Sequence, residues 1–360
     1  MASSNSSATS VPVTERWDVE RAARWGERVG WLVGCNFSPS TAGNQLEMWQ
    51  AATYDPETID RELRWAAGLG MNAVRVYLHD LLWVDDADGF LGRMDEVLTF
   101  AAGHGIGMIP VLFDGVWHPR PALGPQPEPR PRLHNSMWVQ SPGAGVLYDR
   151  SQWESLRPYV DGVLRRFAAD DRVLAWDLFN EPDQMDIDTI RAGSRDGKAD
   201  LATDLVETVF GWARTVDPSQ PLTAGVWEYD DEHRPVDNRL NQVMLDHSDV
   251  ISFHCYDPEP ELRSVIAALE QHGRPLVCTE WLARTAGSTA DLLRVFAAHG
   301  VGAINWGLVD GRTQTRFPWK SWTEPVDDDE PWFHELLHGD GTPYDDGEAE
   351  LFRSLTGRGQ

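Results

Sequence analysis

The sequence has 360 residues, 41% of them hydrophobic, which is enough for one sizeable core and ordinary in length for an α/β barrel with insertions. Its 31 lysines and arginines stand against 57 aspartates and glutamates, a formal charge of −26 that repels nucleic acid and anionic membrane and favours neutral or cationic partners. No apolar run is long enough to span a bilayer, so no membrane partner is expected.

Residues 1–14 are serine-rich, with neither a basic nor an apolar stretch, and read as a disordered tail rather than a signal peptide. The expectation is a cytoplasmic protein with one domain over residues 15–360. Cys35, Cys255 and Cys278 each lie in or beside an apolar run, lack metal-ligand spacing and cannot all pair; they read as buried thiols.

Short apolar runs with strand character occur at 31–36, 73–78, 107–113, 173–179, 221–224, 250–254, 275–279 and 302–306. Helical periodicity falls between them, at 56–69, 90–104, 152–168, 200–216, 259–272 and 289–299. Strand and helix alternating in this way predict a parallel (β/α)8 TIM barrel. No glycine-rich phosphate loop follows any strand, which argues against an open nucleotide-binding sheet. Two connections are too long for ordinary βα loops. Residues 115–147, after the third strand, carry six prolines between positions 119 and 131; residues 307–332, after the eighth, carry Trp319, Trp322 and Trp332. Long connections in compact domains are usually functional or disordered, and Trp117 and Trp138 argue for order. Residues 349–355 read as a closing helix.

In a barrel of this kind, reactive groups stand where strands end. The fourth run stops at Asn180-Glu181-Pro182, where proline prevents the ladder from continuing. The seventh stops at Glu280-Trp281. Two carboxylates facing one cavity from two strand ends are the machinery for cleaving a glycosidic bond. The other strand ends supply Asn36, Arg75, His79, Asp114, Trp227, His254, Tyr256 and Trp306. Singly, Arg75 reads as well as an internal ion-pair partner, His254 and Tyr256 as satisfied core groups, and Asn36 as a turn cap. Their convergence on one face is the argument for a site.

Asn180-Glu181-Pro182 on the fourth strand and Glu280 on the seventh resemble the clan A glycoside hydrolases. With Arg75 on the second strand, His254-x-Tyr256 on the sixth and Trp306 on the eighth, the pattern is similar to that of family 5, the cellulase-like family, over about residues 31–355. The resemblance implies a retaining hydrolase acting by double displacement on β-linked neutral oligosaccharides or small glycosides, with no metal and no organic cofactor. It implies Glu181 as general acid/base with a raised pKa, and Glu280 as a nucleophile kept ionised by Arg75 and oriented by Tyr256. Asn180 would meet the sugar 2-hydroxyl, His254 would bond near Glu181, and Trp306 would lie under the −1 sugar. Trp117, Trp138, Trp227, Trp281 and Trp319 are candidates for further sugar contacts. The family commonly carries a histidine after the third strand; here that segment offers Asp114 first, with His118 and His79 as alternatives.

Two rival readings have different requirements. A metal-dependent barrel hydrolase would want His-x-His after the first strand, where Cys35-Asn36-Phe37 stands. A non-catalytic carbohydrate-binding barrel would not need both glutamates. The two long segments are expected to wall off one end of the cleft and leave an exo-acting pocket. An open cleft would instead mark an endo-acting β-glycanase of cellulase, mannanase or xylanase type.

Overall fold

A computed structural model describes residues 15–186 and 197–357; the tail expected at residues 1–14 lies outside the described residues. Eight parallel strands are present: β1 (Val33–Asn36), β2 (Ala73–Tyr77), β3 (Gly107–Asp114), β4 (Trp176–Asn180), β5 (Leu222–Thr223), β6 (Ile251–His254), β7 (Leu276–Glu280) and β8 (Gly302–Trp306). They run in the order β5-β4-β3-β2-β1-β8-β7-β6, with Asn36 of β1 opposite Trp306 of β8. The remaining gap is bridged just beyond β5, where Val226 pairs with Phe253. This is a nearly closed (β/α)8 TIM barrel. β5 is only two residues long because the Ala224 N–H is taken by the Ser248 hydroxyl, at 3.1 Å, instead of a neighbouring strand.

Period-two alternation decides which side chains enter the barrel. On β2, Val74 and Val76 face outward into the helical core, whereas Ala73, Arg75 and Tyr77 turn inward. Outside, the helix Pro56–Gly68 shows why these segments coil as they do. The Asp55 side chain accepts the Thr58 N–H, proline occupies the first turn, and Ile59, Leu63, Ala66 and Ala67 form the buried stripe.

Several helices differ from expectation. The helix Asp80–Gly103 starts before residue 90, but its backbone breaks at Asp86 (φ −155°), whose carboxylate accepts the Gly89 N–H at 2.9 Å. The periodic part therefore begins close to where the sequence suggests. The helices Val19–Val29 and Arg239–His247 were not foreseen, and the closing helix spans Asp346–Leu355. The first of these buries only Ala22 and Trp25, too narrow a stripe among charged residues to stand out by periodicity. It seals the bottom of the barrel against Leu32, Ala73, Ile109 and Ile304, and the Trp25 indole donates to the Leu174 carbonyl at 2.9 Å. All three cysteines are free and buried. No helix among the described residues is long and apolar enough to cross a membrane.

The two long segments meet over the barrel mouth. The His134 N–H donates to the Ser321 hydroxyl at 3.0 Å, the Trp322 indole donates to the His134 carbonyl at 2.9 Å, and the Asn135 N–H donates to the Thr313 carbonyl at 2.9 Å. Trp117 and Trp322 stack at 4.8 Å between centroids, and Arg132 pairs with Asp328.

Candidate active site

Arg75 stands fully buried on the barrel axis and organises the inward-facing polar groups. Its guanidinium donates to Asp177 (2.9 Å), Asn36 (2.8 Å), Asn180 (2.8 Å), the Tyr77 hydroxyl (2.6 Å) and Glu280 Oε1 (2.9 Å). Burial works against this cation, and Tyr77, Asp177 and Glu280 more than offset it, holding its pKa above the ordinary value. Glu280 receives two further hydrogen bonds, from Tyr77 at 2.7 Å on Oε1 and from Tyr256 at 2.8 Å on Oε2. Three rigid donors, two on β2 and one in the loop after β6, thus fix the orientation of this carboxylate.

Glu181 follows β4 on a left-handed turn (φ +38°), an uncommon conformation for a non-glycine residue and doubly so before proline. Trp117, Asn135 and Leu282, also at or beside the mouth, have positive φ as well. Such strain persists only where surrounding contacts over-determine the backbone. One such contact is Gly115: a Cβ there would lie 2.2 Å from the Glu181 carbonyl oxygen, so only glycine lets the β3 loop pack against this turn. The Glu181 carboxylate meets His254 Nδ1 at 2.8 Å and accepts from the Gln184 amide at 3.0 Å. Burial pushes its pKa up, but His254, Gln184 and Arg75 outweigh burial and leave it lowered. This corrects the expected upward shift: a buried carboxyl bonded near His254 was foreseen, but not the Gln184 amide, nor that these hydrogen bonds to the ionised form would outweigh burial.

Glu181, His254 and Glu280 offer donor atoms within 4.8 Å of one another, a spacing that could hold a metal ion. One of the carboxylates is already paired with the Arg75 guanidinium, whose positive charge opposes a cation there.

A cavity of about 410 Å³ opens above these groups, in the usual range for a small-molecule site. Of the residues expected from the sequence, Trp117, Asn180, Glu181, Trp227, His254, Tyr256, Glu280 and Trp306 line it, as do Trp138 and Trp319. Asn36, Arg75, His79 and Asp114 are not among the lining residues. Asn36 and Arg75 lie beneath, bonded to the strands and to each other. Asp114 is buried and accepts from Asn180 (3.0 Å), Gln45 (3.1 Å) and the Trp138 indole (2.5 Å), so it positions neighbours rather than facing the cavity. Burial pushes its pKa up to about 7 against those hydrogen bonds. His79 caps the helix that follows β2, accepting the Leu81 N–H, and His118 bonds to the Ser136 carbonyl. Trp281 is fully buried against Phe296 and Phe352, pointing outward to the helices.

The sequence reading missed Tyr77, Gln184, Tyr229, His134, Asn135 and His334. Tyr77 could have been found, being two residues beyond Arg75 on the same strand face. The others sit in irregular segments with no periodic signal.

The family model described as Cellulase (glycosyl hydrolase family 5) matches residues 36–311, most of the barrel. The chain belongs to glycosyl hydrolase family 5. It is accordingly a glycoside hydrolase of the retaining type. Solved structures similar in fold include an exo-β-1,4-mannosidase from Opitutaceae bacterium strain TAV5 (19% identity, TM-score 0.57, covering 91% of this chain and 60% of that one). They also include the hyperthermostable endo-1,4-β-D-mannanase of Thermotoga petrophila RKU-1 (16%, 0.57, 91% and 99%) and a family 5 protein of Streptomyces cattleya in complex with GlcNAc (14%, 0.56, 91% and 80%). At these identities the likeness is one of fold. No curated protein matches the chain significantly in sequence.

Glu335, behind Trp306 in the segment after β8, is a buried carboxyl whose Oε2 has no partner among the described residues. Burial pushes its pKa from 4.5 up to about 8. Unfolded chains release this proton near pH 4.5 while the folded protein keeps it to about pH 8, so stability falls as pH rises through that window. Glu335→Gln should remove the fall, worth about 1.4 kcal/mol per pH unit. Thermal melts should show wild type and variant coinciding below the window and diverging above it. An offset independent of pH would refute the titration.

Proposed function

We propose that this family 5 hydrolase is an exo-acting β-glycosidase for neutral β-linked oligosaccharides or small glycosides, with Glu280 as nucleophile and Glu181 as general acid/base. The observation that carries the reading is the pair of carboxylates with oxygens within 4.8 Å across one cavity. Inverting hydrolysis needs room for a water between carboxyl groups about 6.5–9.5 Å apart, and retaining hydrolysis needs only about 5–5.5 Å.

In the first step a Glu280 oxygen attacks the anomeric carbon while the glycosidic C–O bond breaks and the departing oxygen takes the Glu181 proton. In the second, Glu181 removes a proton from water, which attacks the same carbon and releases Glu280. Arg75, Tyr77 and Tyr256 hold the Glu280 carboxylate at its attacking angle. His254 sits between the two glutamates, with Nδ1 on Glu181 and Nε2 3.6 Å from Glu280 Oε1. With the proton on Glu181, Nδ1 accepts it and Nε2–H is directed toward Glu280. The proton that Glu181 gives to the departing oxygen in the first step is replaced in the second by the one it takes from water. Trp306, packed edge-on against Tyr77 and Trp138, offers an indole under the sugar on Glu280.

The exo assignment is supported by the two long segments, whose hydrogen bonds and stacked tryptophans tie them together along one side of the mouth. The three free buried thiols support action in the cytoplasm, on imported oligosaccharides. Product profiling tests the exo reading: the expected outcome is monosaccharide release from short oligomers and turnover of aryl β-glycosides. A rapid viscosity drop on soluble polymer with mixed oligomeric products would overturn it.

A further inference from the structure

The first long segment contributes His134 to the cavity and the chain just beyond the second contributes His334, and neither side chain has a part in the chemistry above. His134 and His334 are 3% and 1% exposed, with ring centroids 5.4 Å apart. His134 Nδ1 lies 2.8 Å from the Phe317 carbonyl oxygen, and His334 Nδ1 bonds the Leu282 carbonyl oxygen. A carbonyl oxygen can only accept, so each imidazole carries its hydrogen on Nδ1 and a lone pair on Nε2. Neither Nε2 has a hydrogen-bond partner among the described residues, and both rings line the cavity. Burial keeps both rings neutral, bringing His134 down to about 4 and His334 well below its ordinary value. The pair also adjoins the reacting groups. The His334 ring lies 5.6 Å from that of Tyr256, which donates to Glu280, and 6.4 Å from Trp306. Trp319 contacts both histidines.

We propose that His134 and His334 are specificity-determining residues whose Nε2 atoms accept hydrogen bonds from free hydroxyls of the terminal sugar, on the ring edge remote from the anomeric carbon. The inference rests on the pocket reading above and deepens it. A free hydroxyl supplies the donor that each Nε2 lacks. A sugar in the middle of a polymer carries an ether oxygen at the linkage position, which has no hydrogen and sets acceptor against acceptor. A sugar carboxylate at that edge meets the same mismatch. Chain-end recognition then rests on hydrogen-bond polarity as well as on the walls formed by the two segments, and sites built to bond a hydroxyl reject analogues lacking it strongly.

The test compares wild type, His134→Phe and His334→Phe on an aryl β-glycoside and on its analogues deoxygenated, one at a time, at the remote hydroxyls. Phenylalanine keeps the ring volume and removes both nitrogens. Wild type should lose on the order of 100-fold or more in kcat/KM when a bonded hydroxyl becomes hydrogen. The matching variant should lose a similar factor on the parent glycoside and little more on the deoxy analogue. If every variant keeps the wild-type ratio between parent and analogue, the histidines are only structural and the assignment is overturned. A fluoro analogue gives a check on wild type alone, independent of how the variants fold. Fluorine cannot donate, so that sugar should be as poor as the deoxy one; recovery of activity would mean the protein donates there, contrary to the proposal. A wild type that cleaves polymer internally and no aryl glycoside sinks the pocket reading, and this assignment with it. Turnover of aryl glycosides without hydroxyl coupling sinks the histidine assignment alone.

Discussion

Glu280→Ala should lower turnover of any glycoside on the order of 10⁴-fold or more, and an activated leaving group should not restore it. Without the carboxylate no glycosyl-enzyme ester forms, and leaving-group quality cannot substitute for a missing nucleophile. The variant leaves the Arg75 guanidinium with Asp177 as its remaining carboxylate partner, so some loss of stability is expected too. Glu280→Gln, which preserves volume, separates the effects: its melting temperature should approach that of wild type while its activity stays low. Azide added to the alanine variant can enter the vacated space and should yield a glycosyl azide of inverted configuration. An azide of retained configuration would assign Glu280 the acid/base role instead.

Glu181→Ala should behave differently on different leaving groups. On a glycoside with a poor leaving group, kcat/KM should fall about 10²–10⁴-fold, the usual worth of general acid catalysis. A dinitrophenyl glycoside needs little protonation and should be affected far less in its first step, so the glycosyl-enzyme accumulates. Azide should then speed its release and give a product of unchanged configuration. The pH profile provides a second readout. The alkaline limb of wild-type activity reflects loss of the general acid's proton, and in the variant that limb should disappear on the activated substrate. An unchanged alkaline limb would move the acid elsewhere.

Some site residues were legible because their signals are local. Pro182 ends β4 immediately after Glu181, and β7 ends on Glu280, so both carboxylates could be assigned to the barrel mouth from neighbouring residues alone. His79 follows β2 and Asp114 ends β3, yet neither faces the cavity: His79 is captured by its own neighbours Asp80 and Leu81 as the cap of the next helix, and Asp114 by Gln45, Trp138 and Asn180 from other segments. The direction of the Glu181 shift was misjudged for a different reason. Burial can be anticipated from an apolar strand, but Gln184 turning back onto the carboxylate depends on the loop's path.

The amino-acid sequence by itself determined the barrel, since eight strand runs alternating with helical segments rest on repeats of 2.0 and 3.6 residues that each segment carries within itself. It also determined the two glutamates and the residue types around them. Only the tertiary structure decided which groups converge: Arg75 bonded at once to β1, β4 and β7 side chains, Tyr77 added to the Glu280 cradle, and the segments after β3 and β8 joined so that His134 meets His334. Those pairs are separated by tens to hundreds of residues and lie partly in irregular backbone. There no periodicity constrains where a side chain points, and only the packing of the whole barrel brings the partners within hydrogen-bond reach.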